Sequence, residues 1–352
     1  MEASQERTKI KNMIEQLPDV RTSLSIGEKF SIPENIVSGD AYSLMHQSYN
    51  RFFPLKILVT TLGLMIGKNK EQENEFDKAR WVDYEEFSKD SFDIALEFSD
   101  KLKSIKGKKG DTRNIRISTG LPISHEISFT NFIDFNKKTK EKIQKDEKSK
   151  QRFFDCFIGP KAATLLRAIN AAEKKEKEFF SGALNETGLV YVRNNNEKVE
   201  ITLSEDGFEF FNYDNPFIDD ISTEIDENGL MQIIFNTNAD GLIEKKIFSN
   251  EETKFIMNRI ITKFTLENKI IDDIVTKIKK DGRVEADGIA AVIENSVIEW
   301  RGKEQNQDDA NKQKIDEKNK DVYRIATMGR LAEIGIVNWE IEEGKSLYSL
   351  PT

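Results

Sequence analysis

The chain has 352 residues, 33% of them charged and 38% hydrophobic, with a net charge of −9. That length gives room for two or three domains of about 100–200 residues, and the composition is that of a soluble, helix-rich globular protein, which excludes a disordered or fibrous one. No apolar run reaches the roughly 20 residues of a membrane helix, and Met1–Asn12 lacks a hydrophobic signal segment, so the sequence predicts a cytoplasmic protein with no membrane partner. The single cysteine, Cys156, stands among Phe153, Phe154 and Phe157; it reads as a small buried hydrophobe, and no internal disulfide is possible.

In chain order, the longest apolar stretch, Pro54–Gly67, opens on a proline suited to a first helical turn and reads as a core helix over Leu55–Ile66. Asp83 can cap a short helix that includes Phe87, and Ser91–Ser104 follows with apolar residues at helical spacing and Gly107 as its stop. Residues 108–112 read as a turn and Asn114–Ser118 as a strand, giving a first, basic wing. Asn136–Lys150 reads as a solvated, lysine-rich linker. Helices are expected over Lys161–Ala172 and Glu176–Glu186, with Gly188 beyond the end of the second. A hairpin of Leu189–Arg193 and Lys198–Leu203 turns at Asn194–Glu197, where asparagines tolerate positive φ. Ser204 caps the next helix.

Leu230–Phe235 and Leu242–Phe248 suggest another hairpin, and Ser249 with Glu252 forms a capping box. Helices over Glu251–Lys263, Leu266–Lys280 and Asp287–Glu299 follow. Arg301–Lys320 is too polar to pack and is either a helix extension or a loop. Val322–Glu333 is a helix ending at Gly335, and Ile336–Ile341 and Ser346–Leu350 form a terminal hairpin. On that helix Ile325, Met328, Leu331, Ala332 and Ile334 are expected to face inward and Tyr323, Arg324, Thr327 and Arg330 outward.

Charge is unevenly spread. Residues 101–152 hold fifteen Lys or Arg against six acids, a local +9 that leaves −18 for the remainder. One basic surface on an acidic body is where a polyanion would dock.

The segments "IATMGRLAEIGIVNWEIEEGKSLYSL" (Ile325–Leu350) and "LVYVRNNNEKVEITLSEDGFEFF" (Leu189–Phe211) resemble the winged-helix superfamily, in which a helix leads into a hairpin. The resemblance implies a mainly α architecture with small β-hairpins (α+β), in tandem units over 1–135, 136–228 and 229–352. It implies a double-stranded DNA-binding protein, a transcription regulator or recognition component of a larger assembly. Lys101, Lys106, Lys108, Lys109, Arg113 and Arg116 would then contact phosphate, and Tyr323, Arg324, Thr327 and Arg330 would lie on the groove-facing helix. The alternative is a winged-helix scaffold that binds other protein subunits without touching DNA, and the acidic wing tip Glu342-Glu343 leans toward it. A contiguous basic stripe joining Lys101–Arg116 to Arg324 and Arg330 favours DNA; its absence favours the scaffold.

Signals for catalysis are weak. Gly63–Lys68 has three residues between its glycines where a phosphate loop has four, and Asn69 stands where such a loop has Ser or Thr. Asp240, Glu244 and Lys246 have the residue types of a nuclease site without its pattern, and His46 and His125 lack cysteine partners. The sequence therefore predicts no catalytic residues, no metal and no cofactor.

Overall fold

The computed structural model describes residues 16–24, 51–73, 75–104, 119–124, 132–159, 161–172, 182–225, 231–238, 241–242, 245–304, 315 and 317–351. Among these the protein is mainly helical with small antiparallel sheets, an α+β architecture.

A short helix α1 (16–23) lies against α2 (Phe53–Gln72), the central element. Pro54 sits in its first turn, where its missing N–H costs nothing. Nearly every side chain from Phe53 to Gly67 is buried, so this helix is apolar all round. The glycines that superficially suggest a phosphate loop serve packing instead. A Cβ on Gly63 would run into the Phe211 ring, and one on Gly67 into Val20 of α1. Because Phe211 is fully buried and cannot swing away, Gly63→Val should lower stability by about 1–3 kcal/mol through overpacking, read as a drop in urea midpoint at unchanged slope.

After α3 (Phe76–Ala79), the strand β1 (Val82–Asp83) leads into α4 (Tyr84–Ser104), one continuous helix where the sequence suggested two. Asp83 caps it as expected, its Oδ1 accepting from the N–H groups of Glu85 and Glu86. The stretch read as a solvated linker is instead the helix α5 (Phe132–Phe153). Its Lys, Glu and Gln residues are strong helix formers, Lys142 pairs with Asp146 one turn on, and Lys150 lies over the Phe92 ring at 5.1 Å. Cys156, in the π-helical turn that follows, is buried as anticipated.

Next come α6 (Ala162–Ala172), α7 (Ala183–Glu186) and the hairpin β2 (Val190–Asn195) and β3 (Lys198–Leu203). Asn196 and Glu197 take positive φ at its tip, and Gly188 does so after α7. β1 adds to β3, so the sheet order is β1-β3-β2. The units expected over 1–135 and 136–228 therefore share one sheet.

Ser204 caps α8 (Glu205–Asn212) through the Gly207 N–H. β4 (Ile221–Ile225) pairs with β5 (Met231–Phe235). This corrects the hairpin expected between residues 230 and 248: the partner of the strand at Met231–Phe235 precedes it, at Ile221–Ile225. The Ser249–Glu252 capping box opens α9 (Asn250–Phe255) as predicted.

The final unit is α10 (Thr265–Asp281), β6 (Arg283–Glu285), α11 (Ala286–Glu304), α12 (Glu317–Glu333) and the hairpin β7 (Asn338–Glu342) and β8 (Lys345–Ser349), with sheet order β6-β8-β7. Glu343 and Gly344, both at positive φ, make the two-residue turn. Helix, strand, helix, helix, hairpin thus occurs twice, the first time with additional helices, α5 the longest of them, between its parts. One hydrophobic core runs from Leu17 to Tyr348 through both.

Candidate functional site

The outward face expected on α12 points inward. Arg324 is only 7% exposed, its Nη1 donating to the Tyr348 hydroxyl at 2.6 Å and its Nη2 to Asp321 at 2.9 Å. Arg330 is 2% exposed and forms an ion pair with Glu267 of α10, itself 1% exposed. Thr327 is buried beside it and accepts from Arg330 Nη2 at 3.3 Å. Tyr323 is half-buried against the core. Ile325, assigned inward by helical spacing, is 37% exposed, and Val322 is 42% exposed. The physical reason is partner supply. Glu267 and Tyr348 lie inside the unit and pair with the guanidinium groups, so the helix can turn these residues in and leave two aliphatic side chains in water.

Of the basic residues expected on the first wing, Lys106, Lys108, Lys109, Arg113 and Arg116 lie outside the described residues, and Lys101 is half-buried near the end of α4. Within the basic stretch 101–152 the exposed cations among the described residues are on α5, where Lys145, Lys148 and Arg152 stand at spacings of three and four residues. Sequence reasoning missed this stripe because it took the segment for a linker.

Beside that stripe a cleft of about 470 Å³ separates α5 from the first turns of α12, bordered by Lys148, Arg152, Asp155, Cys156 and Val322. Asp155 accepts from Gln151 Nε2 at 2.6 Å. On the terminal hairpin, Arg283 reaches both Glu340 and Glu342 at 2.5 Å, while Ile341 is 45% exposed and Glu343 stands at the turn.

A second cavity, about 930 Å³, lies between α1 and the segment after α8. Arg21 spans part of it, with Nη1 at 2.9 Å from both Asp214 and Asp219, and Lys245 pairs with Asp220 at 2.8 Å. Its charges are matched internally. Among the described residues no cluster of three or more His, Cys, Asp or Glu could hold a metal. His46, His125, Asp240 and Glu244 lie outside the described residues.

The two halves of the chain meet at Glu333, the last residue of α12. Its carboxylate accepts from the backbone N–H groups of Phe52 and Phe53 at 2.5 and 2.9 Å, capping α2 from 280 residues away. Arg51 packs against Gly329 one turn back, where any Cβ would strike its guanidinium. Burial pushes the Glu333 carboxyl up to about 7 despite the opposing pull of Arg51 and the two N–H groups. A carboxyl raised in the folded state favours folding fully below its unfolded value and loses that contribution as pH climbs through about 7. Stability should therefore decline between about pH 4.5 and 7, and Glu333→Gln should flatten that slope in a series of denaturation curves.

No family model matches the chain, and neither the curated proteins nor the solved structures contain a match to it.

Proposed function

We propose that this chain is a protein-interaction scaffold built from two winged-helix units, and that it does not act by placing α12 in a DNA groove. Two units rather than three are supported by the recurrence of helix, strand, helix, helix, hairpin with sheet orders β1-β3-β2 and β6-β8-β7. The observation that carries the functional reading is the burial of Arg324, Thr327 and Arg330. A helix that reads base edges needs its long polar side chains free, and here they are committed to Tyr348, Asp321 and Glu267. What α12 offers to solvent is Asp321, Val322 and Ile325, an apolar pair beside an acid, which suits a protein surface. The acidic hairpin tip would repel phosphate.

A duplex could be held without α12, by Lys145, Lys148 and Arg152 on α5, and the test separates the two. Random-sequence duplex is titrated with protein between about 50 and 200 mM salt. The scaffold reading expects no retention of duplex beyond the weak, non-specific range of about 10⁻⁴–10⁻⁶ M. Submicromolar binding with a steep salt slope, lost on charge reversal of Lys145, Lys148 and Arg152, would overturn it in favour of DNA.

A further inference from the structure

We infer that the cleft between α5 and α12 receives the terminal hairpin of a second copy of this chain. The inference rests on the scaffold reading and names its partner. The cleft pairs apolar and cationic groups at close quarters. Val322 stands 42% exposed on the α12 wall of the cleft. Lys148 and Arg152 are exposed on the α5 side, and neither forms an ion pair among the described residues. Two other α5 lysines are already engaged, Lys142 with Asp146 and Lys150 with Phe92. Asp155, the acid on the cleft wall, is engaged by Gln151.

The hairpin tip carries the complementary set. Ile341 is 45% exposed, more than any other large apolar side chain on the two strands. Alternation along β7 puts it on the opposite face from Glu340 and Glu342, which Arg283 holds. Glu343, two residues on, is exposed at the turn and makes no ion pair among the described residues. One apolar side chain and one carboxylate at the tip thus match the exposed Val322 and the two cations Lys148 and Arg152 in the cleft. β7 is also the edge of its sheet, stiffened by its turn and by Arg283, so docking immobilises few side chains.

Charge along the chain points the same way. The 101–152 stretch to which α5 belongs carries +9 and the rest of the chain −18 in sum, so another copy offers that stretch an acidic surface. Cleft and hairpin belong to the same molecule, and a two-fold pair makes the contact twice, which is how a small patch can reach a stable interface area.

The test is sedimentation velocity of the full chain from about 1 to 100 μM in low and high salt, a span that brackets micromolar dissociation constants. The wild type should show concentration-dependent dimerisation that weakens with salt. Lys148→Glu with Arg152→Glu, and separately Ile341→Asp or Glu343→Lys, should each weaken it about tenfold or more, with circular dichroism and melting unchanged. An equimolar mixture of the Lys148→Glu/Arg152→Glu and Glu343→Lys proteins should associate more tightly than either alone, since reversal on both sides restores the pairing. A wild-type chain that stays monomeric at the top concentration, or a dimer indifferent to all of these changes, overturns the inference. Neither outcome touches the scaffold reading, which fails only in the duplex titration.

Discussion

Lys56→Met will destabilise the fold by about 3–5 kcal/mol, the range for breaking a buried ion pair from one side. Lys56 lies in the middle of α2 with no exposure at all. Its ammonium donates to the carbonyl oxygens of Phe210 and Tyr213 at 2.6 and 2.7 Å and pairs with Glu252 at 3.0 Å. Glu252 in turn closes its capping box and accepts from Asn215. Burial pulls the Lys56 ammonium down and pushes the Glu252 carboxyl up, each toward its neutral form, and the mutual attraction opposes both. Removing Lys56 leaves burial unopposed at Glu252, so its folded-state carboxyl rises further. The variant should therefore recover stability as pH falls, because a protonated Glu252 carries no buried charge. Adding Glu252→Gln should restore part of the loss at neutral pH, since the amide oxygen can still accept from Ser249 and Asn215. Urea midpoints across pH measure all of this; a Lys56→Met protein as stable as wild type would mean that the pair is not closed in solution.

Arg330→Met is the second large effect, again about 3–5 kcal/mol, because it strands Glu267 at 1% exposure. This substitution also bears on function. Were Arg330 a phosphate contact, its loss would weaken duplex binding evenly across sequences and leave the fold intact. Buried as it is, the expected result is the reverse: an unfolding midpoint lowered by several kcal/mol equivalents and no duplex affinity to lose. Glu267→Gln with Arg330→Met should be less destabilised than Arg330→Met alone, since the stranded charge is gone.

These two ion pairs also mark where the sequence stops being readable. Signals that act within one turn of chain were legible: Asp83 and Ser204 as caps, the Ser249–Glu252 box, and Gly188 and Gly335 at positive φ all stand where local chemistry put them. The partners of Lys56 and Arg330 lie 196 and 63 residues away, and helical spacing assigns any charged residue to the outside unless such a partner is known. Spacing alone therefore says nothing of a buried role for Lys56, and it makes Arg324, Thr327 and Arg330 a reading face. β1 and β6 escaped notice for a different reason. At two and three residues they are too short to show alternation, and they exist because a hairpin edge far along the chain accepts them.

The cap that Glu333 places on α2 has a consequence for how the protein is made. The amides of Phe52 and Phe53 emerge from the ribosome early, while the carboxylate that satisfies them follows 280 residues later. At about 5–20 residues per second that is a wait on the order of tens of seconds. During it the first turn of the central helix must lean on water, and the apolar residues just behind it, Phe53, Leu55 and Ile57, lack part of their cover. Completion of the central helix α2 therefore waits for α12, the last helix described. Ribosome-bound fragments ending before residue 333 should therefore be far more protease-sensitive around residues 51–58 than the finished protein.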